Sequence, residues 1–489
     1  MGFAQQPNIL LVIADDLGLD PVPGYMPGPV KASMPRLEAL MGEGLTFDNV
    51  WMNPLCAPTR STILTGRYGY QTGVLNAAEL SLLPADETTL HRYLSESGSG
   101  YASCIIGKWH LGGLDPDPAY PNVMGIPHFA GLLSGAVNNY YNWPLTIDGV
   151  TAQSSDYITT AITEMAIDWI DQQATPWFCW LAYTAPHTPL HLPPLNMHSQ
   201  GALPTDQASI TADPLPYFLA MTESVDYEMG RLLDALPPEV RANTVVIFMG
   251  DNGTDAGVIQ MPYLPNHGKG TLFEGGVRVP LVIAGPAITR MGQHEEALVN
   301  GTDLFATIVE LTGEQLPVYQ ESRSLVPMLS QEGLIARECL YTDVSFNTSG
   351  SAIRNARWKL ITFDNGQQRF YDLLNDPWEE VNLMQGGLDA SEQVALDALI
   401  NGCSFSTGVH VVSVEDAFMV LPNPARDHFA ISAPINGPIH VRMFDPVGAL
   451  VLEAYTSSRT VDVAALKDGL YFVELQQEDR TQVLKVVME

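Results

Sequence analysis

The segment with the clearest chemical potential is Cys56-Ala57-Pro58-Thr59-Arg60. Pro58 suits the first turn of a helix, where its missing N–H costs nothing, and residues 59–64 can continue that turn. Cys56 would then lie at a helix N-terminus, where free N–H groups and the helix dipole favour an anion, and Arg60 adds a full positive charge. Such surroundings activate a thiol and bind oxyanions, so the segment predicts a reactive cysteine; a buried structural cysteine is the alternative.

Polar or ionisable side chains follow four predicted strands at the points where the strands end. The strands are the apolar runs 8–14, 102–107, 177–183 and 244–249, and the residues that follow them are Asp15, Asp16, Lys108, His110, His187, Asp251 and Asn252. Because open α/β sheets bind ligands at the carboxyl edge of their strands, we expect these side chains to form one site.

The oxygen ligands among these residues indicate a particular class of metal. Asp15, Asp16, Asp251 and Asn252 offer hard oxygens without His or Cys, which suits calcium or magnesium better than zinc. The same residue types also cap helices and form turns, and the pattern alone does not decide between a metal site and a turn.

Strands and helices alternate along most of the chain, which predicts an α/β fold with a mostly parallel sheet flanked by helices. The predicted helices are 34–44, 88–97, 155–173, 216–236 and 303–311, a further strand is 281–284, and residues 115–143 are predicted to be irregular. Residues 352–361 and 368–373 are predicted as antiparallel strands, closed by a helix at 392–400. After Gly402 the pattern is all-β and sandwich-like. We therefore predict domains at 7–335, 336–402 and 410–489.

Composition excludes several classes of protein. The net charge of −32 argues against nucleic-acid binding, which requires basic surfaces. No apolar run approaches the roughly 20 residues that a membrane span needs. Of the five cysteines, Cys104 and Cys179 lie in apolar runs and are predicted to be buried thiols, and any pairing among the cysteines other than Cys56 is left open.

Two segments resemble the signatures of the type I sulfatases, a family of the alkaline phosphatase-like superfamily. The first is Cys-x-Pro-x-Arg followed by an apolar pair and Thr65-Gly66, whose cysteine the family oxidises to formylglycine; the second is the segment 100–110, GYASCIIGKWH. The resemblance runs from about residue 7 to about residue 385. Thr59 departs mildly from it, because the family most often has Ser or Ala there.

The resemblance also implies roles for individual residues. It makes Asp15, Asp16, Asp251 and Asn252 the metal ligands, with calcium the usual ion, and places the modified Cys56 on the metal. It makes Arg60 the residue that holds the formylglycine hydrate. The residues that bind sulfate and move protons would be Lys108, His110, His187 and Lys269, and His267 is a further candidate for substrate contact.

The implied mechanism starts from the hydrated aldehyde, whose oxygen attacks sulfur and expels the alcohol, leaving a covalent sulfate intermediate. His187 or Lys269 would protonate the leaving oxygen, and His110 would take the proton of the second hydroxyl so that sulfate leaves. The charges of Arg60, Lys108 and Lys269 together with that of bound calcium outweigh the three carboxylates, which lets an acidic chain hold an anion locally.

The C-terminal region resembles the sorting domain of type IX secretion substrates. The resemblance rests on the segments 421–426, 467–473 and 483–487, and implies export by a Bacteroidetes-type bacterium to the medium or the cell surface. A generic carbohydrate-binding or spacer sandwich is the alternative. Ala4-Gln5 matches what remains after a signal-peptidase cut, so we expect a signal peptide to have been removed.

The sequence thus predicts a secreted sulfatase that hydrolyses a sulfate monoester of a carbohydrate or an aryl alcohol. Its expected partners are a formylglycine-generating system and the secretion machinery. The alternatives are a phosphonate monoester or phosphodiester hydrolase of the same superfamily and a noncatalytic protein that binds sulfated glycans. The loops 115–143 and 190–213 are expected to carry substrate specificity.

Overall fold

The computed structural model divides the chain into two compact units, Met1–Phe405 and Ser406–Glu489. The residues it describes are 6–286, 288–334, 337–346, 349–403, 419–421, 426, 428–432, 438–445, 449–457, 460–467, 469–477 and 480–488. The predicted cleavage remnant Ala4-Gln5 lies outside them, as do 422–425 and Asp468 of the sorting-domain segments. Among the described residues, no helix has the length and apolar character needed to cross a membrane.

The first unit is built on one ten-stranded sheet. Its strands are β1 (Asn8–Ala14), β2 (Gly44–Trp51), β3 (Ala102–Lys108), β4 (Phe129–Leu132), β5 (Trp143–Ile147), β6 (Val150–Ser154), β7 (Trp177–Ala182), β8 (Thr244–Gly250), β9 (Leu281–Ala284) and β10 (Gln293–Asn300), in the spatial order β10-β2-β9-β8-β1-β7-β3-β4-β5-β6. The five strands from β8 to β4 are parallel to one another, whereas β9 and the hairpin β5-β6 pair antiparallel with their neighbours. The predicted α/β fold with a flanked sheet is confirmed.

Helices cover both faces of this sheet. They are α1 (Pro35–Glu43), α2 (Cys56–Thr65), α3 (Gly69–Thr72), α4 (Leu90–Glu96), α5 (Tyr120–Val123), α6 (Ile158–Asp171), α7 (Gln207–Ala212), α8 (Leu215–Ala235), α9 (Pro238–Ala242), α10 (Glu274–Val277) and α11 (Asp303–Leu311), with 3-10 turns at Leu195–Met197, Pro265–His267 and Val326–Leu329. Ile9 and Leu11 of β1 belong to the apolar cluster on one face, and Leu10 and Val12 to the cluster on the other. Burial on both faces explains why β1 is a continuous apolar run.

Five strands of the sheet were not predicted: β2, β4, β5, β6 and β10. Strand β2 contains Thr46, Asp48 and Asn49, which interrupt an apolar pattern, and β10 begins with the polar run Gln293–Glu296. Strand β4 falls within 115–143, which was predicted to be irregular; that prediction was wrong for its four buried residues. These strands form through pairing with neighbours, which local pattern does not reveal.

A small antiparallel sheet completes the first unit. It consists of β13 (Leu340–Val344), β14 (Gly350–Arg354), β15 (Trp358–Phe363) and β16 (Gln368–Asp372), with the hairpin β11 (Val318–Tyr319) and β12 (Ser322–Arg323) before it and a 3-10 turn (Leu383–Gln385) and α12 (Ala390–Gly402) after it. The run 352–361 was predicted to form strand throughout, but it is interrupted by a turn in which Asn355 Oδ1 accepts from the backbone N–H groups of Arg357 and Trp358.

The cysteines divide into one disulfide and three free thiols. Cys339 and Cys403 form a disulfide that ties the start of the small sheet to the end of α12. Cys104 and Cys179 are free and buried, as predicted, and lie opposite each other on β3 and β7.

The second unit contains two antiparallel sheets. One consists of β17 (Met419–Leu421), β18 (His428–Ser432) and β21 (Thr460–Asp462), and the other of β19 (Ile439–Phe444), β20 (Leu450–Thr456), β22 (Gly469–Gln477) and β23 (Arg480–Met488). Phe429 and Ile431 of the first sheet and Val441 and Val473 of the second share one apolar cluster. Apolar side chains enclosed between two sheets are what the sandwich-like pattern predicts.

A buried ionic cluster joins the large sheet to the small one. Glu274, at the start of α10, accepts from Trp51 Nε1 of β2 at 3.0 Å, from Arg354 Nη1 of β14 at 3.0 Å and from Lys359 Nζ of β15 at 3.1 Å. Burial alone would raise the pKa of Glu274, but Lys359 and Arg354 lower it to about 2. The carboxylate is therefore charged over the whole physiological range and holds the two sheets together.

We predict that Glu274→Gln lowers the free energy of unfolding by about 3 kcal/mol at pH 7, because it leaves Arg354 buried without its counterion. The folded-state pKa of Glu274 lies below its unfolded value of about 4.5, so its stabilisation is present above pH 4.5 and is lost as the pH falls toward 2. Urea denaturation between pH 3 and pH 7 measures both effects. Equal pH slopes for the variant and the parent below pH 4.5 would contradict this assignment.

Candidate active site

The site lies at the carboxyl ends of four neighbouring parallel strands, β8, β1, β7 and β3. Their backbones are tied together beyond the strand ends: the N–H of Asp15 donates to Ala185 O at 3.1 Å, and the N–H of Asp251 donates to Ala14 O at 3.1 Å. The seven polar residues predicted to follow these strands therefore lie at one edge of the sheet, as the sequence indicated.

Cys56 lies at the first position of α2 and is almost fully buried. Its Sγ lies 3.2 Å from His110 Nδ1. One ligand atom from each of Asp15, Cys56 and Asp251 lies within 4.8 Å of the others. Every residue of α2 is buried, and the helix ends at Gly66 in a left-handed conformation. The cysteine is thus held at a rigid helix N-terminus and faces two carboxylates.

Each carboxylate of the site is paired with a cation. Lys108 Nζ donates to Asp15 Oδ2 at 2.5 Å, and Lys269 Nζ donates to Asp16 Oδ2 at 2.7 Å. Arg60 donates from Nη2 to Asp251 Oδ2 at 2.8 Å and from Nη1 to the carbonyl oxygen of Lys108 at 2.8 Å. Lys108 and Arg60 are buried. Burial on its own would lower the pKa of Lys108, yet Asp15 raises it above the ordinary value, so the lysine is charged.

Two buried oxygens in the cluster have no hydrogen-bond donor: Asp15 Oδ1 and Asn252 Oδ1. Asn252 Nδ2 donates to Asp16 Oδ1 at 2.9 Å, which orients its free oxygen, and the N–H of Asp16 donates to Asp251 Oδ1 at 3.0 Å. Burial raises the pKa of Asp15 well above its ordinary value, although Lys108 opposes the shift. Unpaired buried oxygens on hard ligands fit a divalent cation such as calcium or magnesium.

His110 is held in one tautomer by its surroundings. Its Nε2 lies 3.2 Å from Ala77 O, and because a carbonyl oxygen can only accept, Nε2 carries the hydrogen. Burial lowers the pKa of His110 well below its ordinary value, and the charges of Lys108 and Arg60 lower it further. The neutral ring therefore presents the lone pair of Nδ1 to Cys56.

His187 lies at the outer side of the cluster, with Nε2 at 3.7 Å from Asp16 Oδ2. Its Nδ1 lies 2.7 Å from Thr188 O and therefore carries the hydrogen of the neutral ring. Burial lowers the pKa of His187 to about 4; Asp16 opposes this shift and Lys269 reinforces it. At neutral pH its Nε2 is an acceptor.

The predicted substrate contact His267 is not brought to the cluster. Its ring is buried and stacks on Phe273 at 3.6 Å between centroids, and burial lowers its pKa to about 4.

Three positions that the sequence analysis did not single out contact the site. They are Ala77, whose carbonyl fixes the His110 tautomer, Gly135, where an added Cβ would lie 2.2 Å from the His110 ring, and Tyr140, whose hydroxyl lies 2.5 Å from His187 O. Only their contacts in space identify them.

Comparison with known proteins decides the family. Residues 7–314 match the Sulfatase family model, residues 266–400 match "N-sulphoglucosamine sulphohydrolase, C-terminal", and residues 419–489 match "Secretion system C-terminal sorting domain". The chain belongs to the sulfatase family. It also carries a type IX sorting domain, which indicates export or the cell surface.

Curated sulfatases align over most of the chain. N-acetylgalactosamine-6-sulfatase of Sus scrofa is 31% identical over 385 residues, which cover 70% of this chain and 69% of the relative. Arylsulfatase A of Bos taurus is 29% identical over 465 residues, which cover 82% and 87%.

Solved structures show the same fold. Ps i-CgsB in complex with k-i-k-neocarrahexaose superposes with a TM-score of 0.68 at 25% identity, covering 81% of this chain and 92% of that one. A protein in complex with its substrate D-glucosamine-2-N,6-O-disulfate superposes with a TM-score of 0.66 at 21% identity, covering 81% and 97%. The sulfatase is accordingly a sulfuric ester hydrolase, of a family that uses formylglycine and a divalent metal.

We predict that Arg60→Met lowers the free energy of unfolding of chelator-treated protein by about 3–5 kcal/mol, because Asp251 is left buried beside Asp15 without its counterion. Added divalent metal should recover part of this loss, since a cation replaces the missing charge. Urea denaturation with and without metal measures both effects.

Arg67→Met is the matched control. Arg67 pairs with Glu87 at 2.6 Å, but its side chain is about a third exposed, so its loss should cost no more than about 1 kcal/mol and should not respond to metal. Equal losses in the two variants would contradict the assigned role of Arg60.

Proposed function

We propose that this sulfatase hydrolyses a sulfate monoester of a carbohydrate or an aryl alcohol with Cys56, converted to formylglycine, as its nucleophile. The observation that carries the proposal is the convergence of Cys56 with Asp15 and Asp251, whose ligand atoms lie within 4.8 Å of one another, against His110 Nδ1. A structural cysteine would not need two buried carboxylates and a buried histidine around it.

The residues that would hold the metal are Asp15, Asp16, Asp251 and Asn252, together with the modified side chain at position 56. The unpaired oxygens of Asp15 and Asn252 support this set. Ca²⁺ is the proposed ion and Mg²⁺ the alternative, because all four ligands are hard oxygens. When bound, the metal supplies a Lewis acid that polarises oxygen atoms at this position.

His110 is proposed to act as the base at the nucleophile. The Nε2–H donated to Ala77 O leaves Nδ1 as an acceptor 3.2 Å from Sγ of Cys56, within the reach that proton transfer requires. The depressed pKa of this ring keeps it neutral and able to accept a proton. This geometry supports a role for His110 in removing a proton from the modified side chain of residue 56.

Of the two candidates for protonating the leaving oxygen, Lys269 is favoured over His187. Lys269 carries its proton at neutral pH, because Asp16 and the neighbouring acidic groups outweigh the effect of burial and raise its pKa. His187 carries its single ring hydrogen on Nδ1, where it is donated to Thr188 O. We assign His187 to accepting a hydrogen bond and orienting Lys269 or the substrate.

Sulfate is proposed to bind among Arg60, Lys108 and Lys269. These three cations converge on Asp15, Asp16 and Asp251 from separate elements, and a divalent metal would make the group net positive. Charges fixed before the reaction stabilise charge that develops in the transition state without reorganisation.

We further infer secretion with the domain plan predicted from sequence: a catalytic domain at 7–335, its small C-terminal sheet subdomain at 336–402 and a sorting domain at 410–489. Export would require removal of an upstream signal peptide, and a formylglycine-generating system would have to act on Cys56. The sugar ligands of the structurally similar proteins support a sulfated saccharide as substrate.

We predict that the peptide carrying Cys56, from protein made together with a formylglycine-generating system, shows the mass of the aldehyde. The peptides carrying Cys104 and Cys179, which are buried in the sheet, should keep the mass of the thiol. Such protein should release sulfate from 4-nitrophenyl sulfate, and Cys56→Ser should release none above background, because a serine cannot expel the bound sulfate by elimination.

A thiol at position 56 under these conditions would contradict the assigned nucleophile. Faster cleavage of a phenyl phosphonate than of the sulfate ester would favour the phosphonate hydrolase alternative. Binding of sulfated polysaccharide without sulfate release would favour a noncatalytic role.

We predict that chelation lowers the thermal unfolding midpoint and abolishes sulfate release, and that Ca²⁺ restores both. Ca²⁺ at a free concentration 100 times its dissociation constant should add about 2.7 kcal/mol to the free energy of unfolding. Asp15→Ala should remove the response to Ca²⁺, because it deletes a proposed ligand with an unpaired oxygen. Glu295→Ala, which deletes a carboxylate paired with Arg290 outside the site, is the control and should keep the response. A parent protein that does not respond to Ca²⁺ or Mg²⁺ would contradict the metal assignment.

A further inference from the structure

A cavity of about 340 Å³ lies directly beside the reaction centre and shares Asp16 with it. It is open to solvent on one side and is lined by the loop after β7, by α7, by the start of α8 and by the loop after β8. Pro186 and Thr188, on either side of His187, belong to its wall. A ligand whose sulfate lay among the cations of the site would therefore have this cavity next to it.

The wall of the cavity is mainly apolar. Its apolar residues include Pro186, Pro189, Leu190, Ile210, Phe218 and Val258. Ligand sites commonly occupy roughly 300–1,000 Å³, so a cavity of this size suits one or two rings better than a long chain. Both an aryl ring and the C–H face of a sugar ring can pack on such a surface.

The charged residues in the wall of the cavity disfavour a second anionic group on the ligand. None of the residues that line the cavity is basic, and two are carboxylates, Asp16 and Asp255. Asp16 is already paired with Lys269, whereas Asp255 accepts only a backbone N–H, that of Gly257 at 2.8 Å, among the contacts of the described residues. A second sulfate or a carboxylate placed here would meet apolar surface and a like charge, and both are costly.

We propose that this cavity binds the uncharged ring of the leaving alcohol and selects against leaving alcohols that carry a second anionic group. The inference rests on the proposed sulfatase chemistry at Cys56. The sulfatase would thus bind one sulfate among its cations and a neutral ring beside them, which makes singly sulfated units its substrates.

A matched pair of esters tests the inference. 3-Carbamoylphenyl sulfate and 3-carboxyphenyl sulfate have similar shape, but only the second carries a further negative charge on its ring. With formylglycine-bearing protein we expect kcat/KM to favour the neutral ester by about tenfold or more. A ratio near one, or a preference for the charged ester, would overturn the proposal.

Thr211→Lys adds a cation to the wall at an exposed position of α7, and should reduce the preference for the neutral ester by about tenfold, because an ion pair with the carboxylate becomes available. Ala208→Lys is the matched control: it adds the same charge to an exposed position of the same helix that does not line the cavity. Equal ratios for the two variants would overturn the proposal.

The failure of the proposed function can be told apart from the failure of this inference. If neither ester is cleaved, the sulfatase chemistry fails, and equilibrium binding of the two esters to the Cys56→Ser protein then tests the cavity alone. Tighter binding of the neutral ester, reduced by Thr211→Lys and not by Ala208→Lys, supports the subsite. Equal binding of the two esters overturns it.

Discussion

The structure depends on pairing three buried carboxylates with three cations in a space from which water is excluded. Asp15, Asp16 and Asp251 are all buried at the same sheet edge, where burial and the repulsion among carboxylates both disfavour charge. Each is offset by one cation, and each cation comes from a different element: Arg60 from α2, Lys108 from the end of β3, and Lys269 from the loop before α10. The site is therefore complete only when all three elements are packed against the ends of the strands.

Parallel strand pairing is what makes this neutralisation possible. In β8, β1, β7 and β3 the chain runs in the same direction, so all four strands deliver their next residues to the same edge. Gly107 shows how closely the chains approach: a Cβ at this position would lie 1.9 Å from Ala182 O of the neighbouring strand. Since β3 must pass this close to β7, Lys108 and His110 arrive at fixed positions opposite Asp15 and Cys56.

Much of this arrangement could be predicted from sequence, because it depends on short segments with strong local patterns. The apolar run 8–14 had to be a strand covered on both faces, and Asp15 and Asp16 had to lie at its end. The predictions fail where pairing between strands decides, as in β2, which contains Asp48 and Asn49 and is held by its neighbours. Sequence also does not reveal packing: His267 is close to Lys269 in the chain, and its ring stacks on Phe273. The Cys339–Cys403 pairing could not be predicted either, because spacing does not fix which thiols meet in space.

The distribution of charge within the site reconciles an acidic protein with an anionic substrate. The net charge of −32 belongs to the whole chain, and exposed charges are screened over about 8 Å at physiological salt, whereas the buried cations act at contact distance. Arg60, Lys108 and Lys269 converge on three carboxylates, and a divalent metal would make that group net positive, whereas no basic residue lines the adjoining cavity. A site that is cationic only at the proposed sulfate position would gain specificity from the contrast, because an anionic group is stabilised at one position and penalised at the next. Selection for singly sulfated substrates would then follow as much from the lack of cations in the cavity as from the three cations of the site.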